Sequence, residues 1–132
     1  MNCLLDTHTF LWSVFDPGQL GKKAGTILKE PENVIYVSVV SLWEISLKYA
    51  VGKLDLVQVT PESFPDIAAK MEFEILNLTP KEAATFYQLP RIGHKDPFDR
   101  LIIWQAINQK LHLISKDKQF NVYKKIGLKL VW

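Results

Sequence analysis

Apolar and polar positions along this chain fall into blocks whose period changes from one segment to the next. Asn2 to Leu5 is a short apolar run, and Phe10, Leu11 and Val14 then recur at helical spacing from Thr7 to Phe15, until Pro17-Gly18 breaks the pattern. Ala24, Ile27 and Leu28 predict a second helix that ends before Pro31, and the β-branched and aromatic run Val34 to Val37 predicts a strand. Val39, Leu42, Trp43, Leu47 and Ala50 trace an apolar helical face closed by Gly52. Pro61 opens a helix toward Met71, and Glu74 to Leu78 reads as a strand. Thr79 is placed to cap a further helix with Pro80 at its first position. Pro97 starts a helix that runs to about Gln109, followed by a strand at Leu111 to Ile114, a short helix at Lys118 to Ile126 and a last strand at Leu128 to Val131.

Strands separated by helices predict an α/β fold with a parallel sheet covered on both faces. A chain of 132 residues, 48% hydrophobic and 23% charged, fits one domain spanning residues 1–132 with an apolar core of its own. The net charge of +2 is too small to announce a nucleic-acid binder by bulk electrostatics, so any basic surface must be local. Cys3 is the only cysteine; it cannot form an internal disulfide, and it reads as a core residue suited to a reducing, cytoplasmic setting. The start Met1-Asn2-Cys3-Leu4-Leu5-Asp6 lacks the pattern of a leader, and no apolar segment approaches the roughly 20 residues that span a bilayer, so no membrane partner is expected.

Candidate chemistry lies in acids set among apolar residues. Asp6 follows Asn2-Cys3-Leu4-Leu5, Glu44 is bracketed by Leu42, Trp43, Ile45 and Leu47, Asp99 stands in Asp96-Pro97-Phe98-Asp99-Arg100-Leu101, and Asp117 follows Leu113-Ile114-Ser115-Lys116. Desolvation penalises an ionised carboxylate in such company, whereas several converging on one divalent cation make the cost tolerable. Ligands of open parallel sheets bind outside the carboxyl ends of the strands, where strand order reverses, and Asp6 and Asp117 both fall at such ends. Hard oxygen donors suit Mg²⁺ or Mn²⁺. His8, His94 and His112 share no spacing that would indicate zinc. Each acid also has a plainer reading. Asp6, Asp96 and Asp117 are placed to cap helices, Asp99 at the third helical position favours the macrodipole, and Glu44 with Lys48 four residues on forms a surface pair.

Four segments carry a family resemblance. Leu4-Leu5-Asp6-Thr7-His8, Ser38-Val39-Val40-Ser41-Leu42-Trp43-Glu44-Ile45, His94-Lys95-Asp96-Pro97-Phe98-Asp99-Arg100-Leu101-Ile102-Ile103 and Leu113-Ile114-Ser115-Lys116-Asp117-Lys118-Gln119-Phe120 resemble, in order and separation, the signature regions of PIN-domain ribonucleases, and among them the VapC-type toxins of bacterial toxin–antitoxin pairs. The Asp-Pro-Phe-Asp-Arg-Leu block is the most specific piece. The resemblance implies a three-layer α/β/α sandwich on a central parallel sheet and a site binding Mg²⁺ or Mn²⁺. It also implies endonucleolytic cleavage of RNA to 5′-phosphate and 3′-hydroxyl products, a VapB-like antitoxin partner and a homodimer. Residue by residue, it makes Asp6, Glu44 and Asp99 the core acids and metal ligands, with Asp117 as the more variable fourth. Asp96 then shapes the helix start, and Thr7 and Ser115 brace waters or the neighbouring carboxylates. Trp104 departs from the small residue usual in the family and would alter the wall behind the site.

An acidic site repels RNA, so positive charge must flank it. Arg91, His94, Lys95, Arg100, Lys116 and Lys118 cluster in sequence around the two C-terminal segments and are the candidates to grip phosphates, against the plain alternative of solvated surface charge. Phe10, Trp12, Phe15, Trp43, Leu47 and Tyr49 are more apolar than two helices need for one core, so part of this set is expected to meet an antitoxin helix or a second copy. Two rival functions stay open: a Mg²⁺-dependent receiver or phosphatase-like domain with Asp6 as nucleophile, and a PIN-like domain that binds RNA or protein without cutting.

Overall fold

The computed structural model describes residues 1–132. Five parallel strands form one sheet: β1 (Asn2–Leu5), β2 (Val34–Ser38), β3 (Glu74–Leu76), β4 (His112–Ile114) and β5 (Lys129–Val131), in the spatial order β3-β2-β1-β4-β5. Six α-helices connect them: α1 (Thr7–Phe15), α2 (Lys22–Lys29), α3 (Val39–Ala50), α4 (Phe64–Lys70), α5 (Pro80–Thr85) and α6 (Pro97–Gln109). The alternation of strand and helix predicted from periodicity is therefore present in the predicted order.

β1 explains why the sheet is covered twice. Cys3, Leu4 and Leu5 are all fully buried, Cys3 and Leu5 in one apolar cluster and Leu4 in the other, as the two-residue period of a strand requires. The first cluster gathers Phe10 of α1, Ile27 of α2 and Phe64 of α4, while the second gathers Ile102, Ile103 and Ala106 of α6. α3 serves both, with Ile45 in the first and Val40 in the second. A central strand buried on both sides reads as a continuous apolar run, and this one does.

Several predicted elements differ in detail; the helix expected from Pro61, for one, opens as a 3₁₀ turn, Pro61–Ser63, before α4 begins at Phe64. β3 stops at Leu76 rather than Leu78, because Thr79 already belongs to the cap of α5: its side chain accepts from the Glu82 N–H while Glu82 accepts from the Thr79 N–H. Residues Lys118–Ile126 wind as 3₁₀ rather than α. Phe120 and Tyr123, three apart, are the residues this segment buries, and a three-residue turn places both on one side.

What the topology does for function is local. β1 leads through β2 to β3 on one side and pairs with β4 on the other, so strand order reverses between β1 and β4. The crevice outside their carboxyl ends is the general ligand position of such sheets. No helix is long and apolar enough to cross a membrane.

Candidate active site

Asp6 is the first residue after β1 and the cap of α1. Its Oδ1 accepts from the Thr9 N–H at 2.8 Å and its Oδ2 accepts from Ser115 Oγ at 2.5 Å, and the residue is only 5% exposed. Ser115 follows β4, and its Oγ in turn accepts from the Asp117 N–H at 3.1 Å. Asp117 caps the 3₁₀ segment through the Gln119 N–H. Thus the two strand ends are tied through one hydroxyl, with Asp6 and Asp117 on the same crevice beside His8, Trp12 and Lys116. Capping and clustering are not alternatives here: the cap bond uses one carboxylate edge and fixes the direction of the other.

Glu44 reaches the crevice from the middle of α3, whose start is set by Ser38 accepting from the Val40 N–H. It is buried, with Thr7 Oγ1 donating to its Oε1 at 2.6 Å and Ser41 Oγ 2.9 Å from the same threonine oxygen. Lys48, four residues on, donates to its other oxygen. Asp99 comes from the first turn of α6, which Asp96 caps by accepting the Asp99 N–H at 3.0 Å. His94 closes the ring: its Nε2 lies 2.9 Å from Asp117 Oδ2 and 3.3 Å from Asp99 Oδ2. Its Nδ1 faces the Asp96 N–H at 3.3 Å, so that nitrogen accepts and Nε2 carries the proton given to the carboxylates.

The electrostatics follow from this crowding. Burial pushes the Asp99 carboxyl up to about 7, Asp96 adds to the rise, His94 opposes it, and Glu44 and Asp6 raise it further. Asp6 is also raised, by burial, against the pull of its bonds from Ser115 and Thr9. For Lys48 burial works to lower the ammonium, but the bond and charge of Glu44, with Asp96 and Asp99 beyond, outweigh it and the net direction is upward. Asp99 thus feels the charge of Glu44 and Asp6, while Asp117 joins Asp6 through Ser115 and Asp99 through His94. His94, Asp99 and Asp117 each offer a ligand atom within 4.8 Å of the other two. Raised carboxyls at Asp6 and Asp99, with Asp117 and the His94 imidazole within ligand distance of Asp99, make a donor set that fits a divalent cation.

The bracing residues fall as expected, Thr7 on Glu44 and Ser115 on Asp6. Lys48 and Ser41 were not singled out by sequence, although the spacing of four between Glu44 and Lys48 was the available signal. Lys48 belongs to the acid cluster rather than to a plain surface pair. Among the basic candidates, Arg91, Lys95, Lys116 and Lys118 are exposed and His94 is half-buried inside the site. Arg100 corrects the expectation of a surface grip. It is 7% exposed, its Nη2 donates to the Leu89 carbonyl at 2.9 Å, and its guanidinium lies over the Phe86 ring. One residue beyond Asp99 is about 100° around the helix, so Arg100 turns inward where Asp99 faces the crevice. Trp104 is half-buried against the α6-side core, and its Nε1 donates to Thr85 Oγ1.

The loop that carries His94 depends on Gly93. Its φ of +68° is left-handed, and a Cβ there would stand 2.7 Å from Val122 Cγ2. Tyr123 Oη donates to the Ile92 carbonyl at 2.5 Å, pinning the loop from the other side. Gly93→Ala is expected to cost about 1–2 kcal/mol from the left-handed backbone alone. Thermal melts check this; Gly93→Asn should recover part of the loss, and an alanine variant that melts like the wild type would contradict it.

A five-stranded parallel sheet with acids gathered at its switch point defines an α/β fold of the doubly wound class, with its side-chain chemistry at the carboxyl ends of β1 and β4. A sequence model of the PIN domain matches residues 3–126, and the chain belongs to that family. Ribonuclease VapC22 of Mycobacterium tuberculosis is 26% identical over 129 residues, covering 98% of this chain and 97% of that protein. The crystal structure of VapBC2 from Rickettsia felis, bound to a DNA fragment from their promoter, superposes with a TM-score of 0.67 at 20% identity, over 99% of this chain and 98% of that one. A VapBC toxin–antitoxin member from Mycobacterium tuberculosis, VapBC-5, gives 0.61 at 16% identity, over 98% and 97%. At such identities these solved structures establish the fold.

Proposed function

We propose that this protein is a metal-dependent endoribonuclease and the toxin of a VapBC-type toxin–antitoxin pair, acting in the cytoplasm. The observation that carries the reading is the meeting of Asp6, Glu44, Asp99 and Asp117 at the β1/β4 switch point, with the Asp99 carboxyl pushed up to about 7 by burial and by its neighbours. The relative named a ribonuclease and the VapBC solved structures support it.

The four acids would hold Mg²⁺ or Mn²⁺, which when bound supplies positive charge to a scissile phosphate and acidifies water for attack. The chain's own residues do the positioning. Ser115 and the Thr9 N–H orient Asp6, Thr7 and Lys48 orient Glu44, and His94 orients Asp117. Exposed Lys116 and Lys118 flank the crevice and would draw the RNA backbone in against the acids' repulsion.

Partners fit the surface left over. Phe10 is core, and Trp12 is half-buried against Trp132, but Phe15, Trp43, Leu47 and Tyr49 remain 40–58% exposed. We assign these exposed apolar side chains to contacts with a VapB-like antitoxin or with a second copy of the chain. Two measurements test the function: growth of bacteria expressing the chain, and cleavage of RNA by the purified protein with Mg²⁺ or Mn²⁺. Growth arrest with internal RNA cuts is the expected result. Intact RNA at every metal concentration would refute the nuclease, and RNA retention without cutting would leave the binding-only alternative.

A further inference from the structure

Arg100 is a buried cation with no carboxylate partner. Its Nη2 has the Leu89 carbonyl, its face has the Phe86 ring, and its Nε is shut off from solvent without a hydrogen-bond partner. A guanidinium so enclosed and unpaired by any acid is costly, and the cost falls if an anion arrives beside it. Arg100 forms part of the wall of a cavity of about 340 Å³ that is lined also by Arg91, Lys95, His94 and Tyr87 and by no acid. Arg91 and Lys95 are exposed and make no ion pair. Tyr87 stands 81% exposed at the rim, an unusual display for so large a ring.

His94 gives the cavity its place, because the same side chain that lines it touches Asp99 and Asp117. The cavity therefore opens directly beside the acid cluster and shares a wall with it. Charge without acids, a ring free to stack and continuity with a phosphodiester-cutting centre are the features of a single-strand nucleic-acid subsite.

We infer that this cavity is a nucleotide subsite for single-stranded RNA: Arg91 and Lys95, backed by Arg100, take a backbone phosphate, and the Tyr87 ring stacks on the adjoining base. The inference rests on the nuclease reading and adds to it a position, next to the scissile bond, that holds the strand in register. Arg100 acts through the field it contributes and through holding the Leu89 carbonyl, and Arg91, Lys95 and Tyr87 make the contacts.

The test is binding of a fluorescein-labelled single-stranded oligouridylate, in EDTA so that it stays whole, over a range of salt. Tyr87→Ala is expected to weaken binding about tenfold without changing the salt dependence, and Tyr87→Phe to bind within about twofold of wild type. Arg91→Ala and Lys95→Ala should each lower the slope of log affinity against log salt by about 0.7. An inorganic polyphosphate of matching charge separates phosphate from nucleotide recognition: it should lose affinity with either cation removed and be indifferent to Tyr87→Ala. A 4-thiouridine in the oligonucleotide should crosslink to Tyr87 or its neighbours. All three residues are exposed, so folding is not at stake. Unchanged affinity and slope in all three variants, or crosslinks confined elsewhere, overturn the subsite. If those variants change nothing while RNA is still cut with Mg²⁺ or Mn²⁺, the subsite fails and the nuclease stands. If the oligonucleotide binds as described but is never cut, the nuclease fails and the subsite stands. A chain that binds no RNA at all loses both.

Discussion

Asp99→Asn should abolish RNA cleavage and at the same time raise the melting temperature of the metal-free protein. The loss is expected to be roughly 10³-fold or more, equivalent to about 4 kcal/mol of transition-state stabilisation, because a carboxylate that holds the cation becomes a neutral amide. The gain has a separate cause. Asp99 is crowded by Asp96, Glu44 and Asp6 and pushed up by burial, so at pH 8 its ionised form is held against its preference. Asparagine keeps the shape and removes that charge. It also gives up a favourable interaction with the α6 dipole, worth about 0.3–1 kcal/mol, so the net gain is set near 1–2 kcal/mol, or roughly 3–8 °C. Asp96→Asn is the control. Asparagine caps as well as aspartate, so α6 keeps its start, and cleavage should fall far less. Ordinary cutting by Asp99→Asn, or a lower melting point at pH 8, would remove Asp99 from the centre of the site.

The same residues show what periodicity and spacing can carry and what they cannot. The unbroken apolar run of β1 betrayed a central strand buried on both faces, and Asp96-Pro97 betrayed a capped helix start, because both are local consequences of backbone chemistry. The acids could be picked out since a carboxylate among apolar neighbours is conspicuous in one dimension. Side-chain direction on α6 was less accessible: Leu101, Ile102 and Ile103 follow without a polar gap, so nothing in the pattern told that Arg100 turns inward under the loop at Leu89 while Asp99 faces the crevice. Lys48 was hidden for a related reason. A spacing of four is the same for a solvated pair and for a cation tucked into an acid cluster, and only the packing of α3 beside α6 decides between them. His94 needed the left-handed turn at Gly93 and the anchor from Tyr123, contacts that link residues about 30 apart in the chain.

Chelation by EDTA should bring cleavage to background, and Mg²⁺ or Mn²⁺ should restore it, with an affinity that depends on pH in a direction the site dictates. Between the ordinary carboxylate value of 3.8 and about 7, the folded chain keeps a proton at the cluster that the unfolded chain has lost. Folding takes up that proton, so metal-free stability is greatest at the acid end of this window and falls as pH rises through it. Cation binding runs the other way, since the ionised form is the one that holds metal. Below pH 7 binding must displace the proton, so apparent affinity should climb by up to about tenfold per pH unit and level off above it. The proton sits at Asp99, whose carboxyl is raised first by burial and then by the charges of Asp96, Glu44 and Asp6 around it, against the pull of His94. Titration calorimetry of Mn²⁺ in buffers of different ionisation enthalpy reads this directly, as close to one proton released at pH 5.5 and almost none at pH 8.5. Melting curves give the companion result: the stabilisation contributed by metal widens with pH while the metal-free melting point drops. Affinity and proton release that stay flat from pH 5.5 to 8.5 would mean that the cation, if it binds at all, sits away from Asp99.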